Sequence, residues 1–354
     1  MSSIGTRRRR LPSLTHMEIR VTVVGAGSWG TTVAALVAKN TPTTLWARDP
    51  VVAEQIDTGR CNERYLPGYT LPTSLQCTAD LESAVRGADV VVMGVPSQGF
   101  RTAVREVASW VRPWVPVVSL TKGLEIDSRL RMSQIVAEEL PGHPVAVLTG
   151  PNLAKEILAG DAAASVLAID DQHVASALQP LFSQDLFRVY THHDVIGCEI
   201  GGVLKNVIAI ASGMADGLGT GDNTRAMVIT RGLAEMIRFG TALGGEEATF
   251  SGLAGMGDLM ATCISPQSRN RSVGEQLGRG RSIAASIDDM RMVAEGVKTS
   301  KVVHEMAAEM DLEMPICEEV YAACHEGRPA TDAYRGLLRR QVGHERAAPS
   351  RSVE

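Results

Sequence analysis

Two stretches of the chain carry residue types at spacings that can do chemistry. VTVVGAGSWGTTVAALVAKN sets Gly25, Gly27 and Gly30 in GxGxxG spacing, directly after an apolar run and at the opening of a helical pattern. In such a loop the first glycine permits a tight turn, the second lets the backbone approach a pyrophosphate, and the third lets the helix pack closely on the strand. Backbone N–H groups at the helix start then point at the anion. The second stretch, GGVLKNVIAIASGMADG over 201–217, is one apolar run interrupted by Lys205 and Asn206. Val203, Leu204, Val207, Ile208 and Ile210 occupy nearly every direction around its helix axis, so the amine has few wet faces. Gly201 and Gly202, one turn earlier, are expected to keep space open beside it. Desolvation lowers a lysine's pKa and a neighbouring carboxylate raises it, so an amine given both is poised to exchange a proton with a reacting oxygen. The plainer alternative is a lysine snorkelling from a surface helix.

Further candidates lie between and beyond these stretches. In dinucleotide folds the tip of the second strand meets the adenosine ribose, where an acid takes the 2′-hydroxyl of NAD and an arginine favours the 2′-phosphate of NADP. Here Arg48 closes the strand and Asp49 follows it, which favours NADPH and admits NADH. Lys122 follows the apolar run VPVVSL at the edge where doubly wound sheets place ligands. In TGPNLAKE, Gly150 and Pro151 end another strand, and a helix begins near Asn152 and Leu153 with free N–H groups. Ser268, Arg269 and Asn270 supply hydroxyl, guanidinium and amide donors consecutively, the set a phosphate dianion wants, although three adjacent polar residues also make an ordinary loop. Arg271 beside them reads as structural. Asn206 either orients a substrate oxygen or caps helix packing. Cys263 as a nucleophile would indicate double oxidation of an alcohol, but no base accompanies it, and free cysteines ordinarily pack as small apolar residues.

The elements that must position these residues follow from the hydrophobic pattern. Strands are expected at 18–25, 43–48, 89–95, 115–121, 144–149, 164–169 and 186–190, alternating with amphipathic stretches such as SRLRMSQIVAEEL. That alternation implies a parallel sheet covered by helices on both faces, an α/β Rossmann-like doubly wound domain. After about residue 192 the Val/Thr runs vanish and helical segments rich in Ala, Met and Leu take over, an all-α second domain. The division expected is a disordered leader at 1–16, a dinucleotide-binding domain at 17–192, a helical substrate domain at 193–340 and a loose tail at 341–354.

Composition narrows the partners. With 354 residues, 44% of them hydrophobic, the chain can bury two cores. A charged fraction of 21% and a net charge of −5 give no general attraction to nucleic acid. Six scattered cysteines without CxxC spacing fit a reducing cytoplasm and no structural metal. No run reaches the roughly 18 uninterrupted apolar residues of a membrane span, and MSSIGTRRRRLPSLTH lacks the apolar segment of a secretory signal.

With GAGSWG, LTKGLE, TGPNLAKE, GGVLKNVIAIASGMADG and GLAGMGDLMATCISPQSRNR in view, the chain resembles the bacterial NAD(P)-dependent glycerol-3-phosphate dehydrogenases from about Met17 to about Leu338. The resemblance implies reversible hydride transfer between NAD(P)H and dihydroxyacetone phosphate, giving sn-glycerol 3-phosphate for phospholipid synthesis, in a cytoplasmic homodimer. It assigns the proton donor and acceptor to Lys205, and the residues themselves suggest Asp258, in GMGDL, as the carboxylate beside it. Substrate contacts fall on Lys122, Gly150, Asn152, Asp258, Ser268, Arg269 and Asn270; the family often has Ser or Thr where this chain has Asn152. Cofactor contacts fall on Ser28, Trp29, Arg48, Tyr65, Lys122, Ala154, Arg269, Val293 and Glu295, beside the loop glycines. The rivals are a β-hydroxyacid dehydrogenase, which takes a carboxylate substrate, and a non-catalytic nucleotide sensor.

Overall fold

The computed structural model describes residues 18–288 and 294–339. The leader at 1–16, the tail at 341–354 and Val293 lie outside the described residues. Eight strands form one sheet in the order β3-β2-β1-β4-β5-β6-β7-β8: β1 (Val21–Val24), β2 (Thr43–Trp46), β3 (Leu75–Thr78), β4 (Val90–Met93), β5 (Val117–Ser119), β6 (Val145–Thr149), β7 (Ala163–Ala168) and β8 (Phe187–His192). All four residues of β1 are buried, as a strand covered on both faces requires. β1 pairs in parallel with β2 on one side and β4 on the other, so the strand order reverses beside it, where doubly wound sheets bind ligands.

Two features depart from the sequence expectations. β3, with the sequence LQCT, falls in none of the expected strands; it is an edge strand that buries only Leu75 and Cys77 deeply. The sheet is also not wholly parallel. β7 runs antiparallel to β6, placing Val147 opposite Ala168, because the chain turns back beyond the carboxyl end of β6 through 150–162.

Helices α1 (Ser28–Val37), α2 (Pro50–Asp57), α3 (Leu81–Arg86), α4 (Phe100–Ala108), α5 (Met132–Glu139), α6 (Ala154–Ala159) and α7 (Gln172–Phe182) accompany the sheet. The helical remainder comprises α8 (Val195–Gly217), α9 (Asp222–Ala242), α10 (Glu247–Phe250), α11 (Asp258–Ile264), α12 (Arg269–Gly278), α13 (Ile283–Asp288), α14 (Glu295–Glu309), α15 (Pro315–His325) and α16 (Ala330–Arg339). α8 is its axis. By length and composition it could cross a membrane, but 89% of its apolar window is buried inside the protein.

Glycine sets how closely α12 lies on α8. A Cβ on Gly213 would stand 2.0 Å from Arg271 O, and one on Gly274 would stand 2.0 Å from Ile210 O. One turn on, Gly217 and Gly278 meet in the same way, each hypothetical Cβ 2.8 Å from the other's Cα. The two backbones therefore touch, and this contact fixes where α12 begins relative to Lys205. Glu199 on α8 ties the axis to the sheet region, accepting from Ser133 N at 2.9 Å and Ser133 Oγ at 2.6 Å and pairing with Arg131.

Candidate active site

The GxGxxG loop turns β1 into α1, and its glycines serve different needs. Gly25 has φ +114°, and a Cβ there would lie 2.6 Å from Gly94 O. A Cβ on Gly30 would lie 2.0 Å from Gly25 O. Nothing stands within 4 Å of a Cβ on Gly27, the N-cap of α1, so the amides of Ser28 and Trp29 open onto free space. This cradle fits a pyrophosphate. The sequence reading misses two of its supports. Gly94, after β4, brings its own Cα edge against Gly30, where a Cβ would lie 3.2 Å from Gly30 Cα. Asn62, fully buried, donates to Ala26 O at 3.0 Å and Thr31 Oγ1 at 2.9 Å. Trp29 packs edge-on against Phe187, and its buried Nε1 has no hydrogen-bond partner among the described residues.

At the tip of β2, Arg48 is exposed and its side chain makes no hydrogen bond or ion pair among the described residues. Gly25 N donates to Trp46 O at 3.0 Å, which holds this tip beside the loop. Asp49 is committed elsewhere: it caps α2 by accepting from Val51 N at 3.0 Å and pairs with Arg64 at 3.3 Å. Tyr65 is half-buried, with the Arg64 guanidinium 5.4 Å from its ring centre.

The second centre is built around one carboxylate. Lys205, 8% exposed, donates from Nζ to Asp258 Oδ1 at 2.6 Å and to Thr262 Oγ1 at 2.8 Å. The other oxygen, Oδ2, accepts from Lys122 Nζ at 2.6 Å, and Lys122 also donates to Gly150 O at 2.9 Å. Asp258 is 1% exposed, so two ammonium groups share a buried anion. Burial pushes Lys122 down to about 8, with Asp258 opposing the shift and the Lys205 charge adding to it. Thr262 is absent from the sequence reading; it lies one turn after Asp258 on α11 and donates back to Asp258 O at 2.6 Å, so the D-x-x-x-T spacing carries its signal.

Gly201 and Gly202 do not leave open space beside the amine. A Cβ on Gly201 would lie 2.5 Å from Ala254 O, in the π-helical turn Leu253–Gly257 that delivers Asp258. One on Gly202 would lie 3.2 Å from Lys122 Cγ. The two glycines admit the neighbours that hold and accompany Lys205.

The Ser268-Arg269-Asn270 run forms the start of α12, but its side chains are not three equivalent donors. Ser268 caps the helix, accepting from Arg271 N at 3.3 Å. Asn270 is buried, donates to Asn206 Oδ1 at 2.9 Å and accepts from Gly296 N at 3.0 Å. Asn206 in turn donates to Gly202 O at 3.3 Å and Lys122 O at 3.4 Å, so this relay joins the start of α12 to the two lysines. Arg269 is exposed to water yet stands in crowded protein, which lowers its pKa, with Glu295 opposing. The first-turn amides of α12 follow Ser268, and a helix start of this kind carries partial positive charge. Arg271 pairs with Asp216 at 2.8 Å, a structural role.

The remaining candidates occupy the sheet edge and α14. Asn152 donates to Ser165 Oγ at 3.1 Å, which donates to Thr149 O at 2.8 Å, so its amide holds the turn; Ala154 opens α6. Glu295 opens α14 and accepts from Ser97 N at 3.2 Å and Ser97 Oγ at 2.6 Å. Cys263 is buried, and burial pushes its thiol up to about 12, which removes it as a nucleophile. Among the described residues no cluster of three His, Cys, Asp or Glu side chains could hold a metal.

Two family models match the chain, and the second centre draws on both stretches, Lys122 from the first and Lys205 and Asp258 from the second. The model for the N-terminus of NAD-dependent glycerol-3-phosphate dehydrogenase matches residues 20–175, and the model for its C-terminus matches residues 194–335. A glycerol-3-phosphate dehydrogenase [NAD(P)+] of Sphingopyxis alaskensis is 57% identical over 329 residues, covering 93% of this chain and 99% of the relative. One from Mycobacterium tuberculosis is 53% identical, covering 93% of this chain and 96% of the relative. The crystal structure of glycerol-3-phosphate dehydrogenase from Coxiella burnetii superposes with a TM-score of 0.88 at 36% identity, over 91% of this chain and 99% of that one. A dinucleotide cradle at the sheet's switch point, a buried lysine on a shared carboxylate, and similarity over nearly the whole described chain agree: this chain belongs to the NAD-dependent glycerol-3-phosphate dehydrogenase family.

Proposed function

We propose that the chain catalyses the reversible reduction of dihydroxyacetone phosphate to sn-glycerol 3-phosphate with NADPH or NADH. The observation that carries this reading is the Lys205 ammonium fixed on Asp258 at 2.6 Å, joined through Asn206 and Asn270 to the start of α12, where Arg269 stands.

When bound, a nicotinamide would supply hydride chemistry at the ketone carbon. Lys205 gives its proton to the oxygen as negative charge develops there, and takes a proton from the hydroxyl in the reverse direction. Asp258 fixes the amine in place inside an apolar helix, and Lys122 meets the second oxygen of that carboxylate beside the substrate. Arg269 and the amides at the start of α12 hold the phosphate, with Ser268 and Asn270 fixing that helix start. The amides of Ser28 and Trp29 would hold the pyrophosphate with the loop glycines, and Arg48, without a side-chain partner among the described residues, would take the 2′-phosphate of NADPH. Gly150 and Asn152 shape the substrate side at the end of β6; Tyr65, Ala154 and Glu295 complete the cofactor site.

A guanidinium at a helix start suits a phosphate, which favours this substrate over the carboxylate of a β-hydroxyacid dehydrogenase. A nucleotide sensor would have no use for a lysine and an aspartate buried together. The free cysteines support a reducing cytoplasm, where a homodimer would supply glycerophospholipid synthesis. Steady-state oxidation of NADPH and of NADH with dihydroxyacetone phosphate tests the reading. Turnover is expected with both and a higher kcat/KM with NADPH; no turnover above background refutes it.

A further inference from the structure

Glu295 and Ser97 lie 198 positions apart in the sequence, yet they make one of the tighter side-chain contacts between the helical part of the chain and the sheet. Ser97 is fully buried in the short 3-10 turn Ser97–Gly99 after β4. It meets one carboxylate oxygen of Glu295 with its amide at 3.2 Å and the other with its hydroxyl at 2.6 Å. The direction of that hydroxyl is set from behind. Gln98 Nε2, itself anchored on Leu124 O at 2.9 Å, donates to Ser97 Oγ at 3.2 Å, so the serine proton is left for Glu295. Gly123, beyond the end of β5, makes room: a Cβ there would fall 2.8 Å from Ser97 Oγ and 3.4 Å from Glu295 Oε2.

The Glu295 carboxylate is therefore held over the carboxyl ends of β4 and β5. A dinucleotide whose adenosine end lies at Arg48, beyond β2, and whose pyrophosphate lies over Gly25–Gly30 must extend toward these ends to reach Lys205. A carboxylate offers about four lone-pair positions, and Ser97 uses two. Two positions remain for other donors, and the ribose beyond the pyrophosphate offers two O–H groups.

We infer that Ser97 is a positioning residue, which through its amide and hydroxyl sets the Glu295 carboxylate to accept the ribose hydroxyls on the nicotinamide half of the cofactor. This rests on the reading that the chain binds NAD(P). The helical part of the chain then grips the cofactor through a residue held by the sheet, and the contact responds to the nicotinamide half alone.

The test compares NADPH with 2′,5′-ADP, which carries only the adenosine half, on the full-length wild type, Ser97→Ala and Glu295→Gln. Dissociation constants are read by NADPH fluorescence and by calorimetry. Both variants are expected to bind NADPH about tenfold more weakly, the scale of one hydrogen bond to a charged group, and 2′,5′-ADP as the wild type does. Unchanged NADPH binding overturns the inference, as does equal weakening of both ligands, which would mark a general loosening of the fold. Glu295→Gln decides the matter should Ser97→Ala fail to fold; a wild-type-like Glu295→Gln also overturns it. A wild type that binds no NADPH would overturn the proposed function with it, whereas a normal wild type with unsplit variants overturns this inference alone.

Discussion

Lys205 and Lys122 approach the same carboxylate from opposite sides, each 2.6 Å from one oxygen of Asp258. Lys122, pushed down to about 8 chiefly by burial, is charged below that pH and neutral above it. Raising the pH through 8 removes one of the two cations on Asp258, so kcat/KM for dihydroxyacetone phosphate should fall there. Asp258 opposes the desolvation of Lys122, so Asp258→Asn should move this limb to lower pH. A pH-rate profile of the two proteins checks it, and an unshifted limb removes Asp258 from the account.

Arg269→Ala should act on the phosphate and not on the chemistry. Hydrogen bonds to a charged group contribute about 1.5–3 kcal/mol, so kcat/KM for dihydroxyacetone phosphate should drop roughly ten- to a hundredfold or slightly more. The slow reduction of unphosphorylated dihydroxyacetone should be unchanged. Equal losses on both substrates would assign Arg269 a structural role.

Gly213→Ala tests the contact between α8 and α12. The new methyl would stand 2.0 Å from Arg271 O, a backbone atom that yields only if α12 shifts. Overpacking of this kind costs about 1–3 kcal/mol. Thermal denaturation should show a clear fall in Tm, together with a raised KM for dihydroxyacetone phosphate as Arg269 moves with its helix. A Tm equal to that of the wild type would mean the helices are not in backbone contact.

Glu235 offers a stability measurement away from the site. It is buried on α9 and caps the start of α15, accepting from Ile316 N at 2.7 Å and Cys317 N at 3.1 Å. Burial, the larger effect, pushes its carboxyl up to about 7 against those donors. The folded protein therefore holds this proton in a range where the unfolded chain has lost it. Its contribution to stability is complete below the ordinary carboxylate range and is lost as pH rises through 7. Glu235→Gln should flatten the decline in Tm between about pH 5 and 8; an equally steep decline places its cause elsewhere.

The sequence makes the sheet legible where strands are buried on both faces. Val21–Val24 and Val90–Met93 read as β-branched, almost wholly apolar runs and pair beside each other. Leu75–Thr78 escapes because an edge strand with Gln76 exposed offers only two deeply buried side chains, and the reversal of β7 escapes because direction leaves no local mark. Around the site, glycine spacing reveals Gly25 and Gly30, which answer in part to local backbone, a positive φ at Gly25 and the approach of Gly25 O to Gly30. Gly94, Asn62 and Ser97 work through partners 26 to 198 positions away, beyond any periodicity. Asn270 shows the converse: residue type suggests a phosphate donor, while its side chain is engaged with Asn206 and Gly296.

The central claim is that Lys205 moves the proton, and Lys205→Met tests it most directly because the thioether chain fills the same buried space without a proton to give. Single-turnover oxidation of bound NADPH by dihydroxyacetone phosphate should slow by about a hundredfold to ten-thousandfold, the usual range for a lost general acid, with the NADPH dissociation constant unchanged. A Lys205→Met protein that turns over at the wild-type rate would contradict the account.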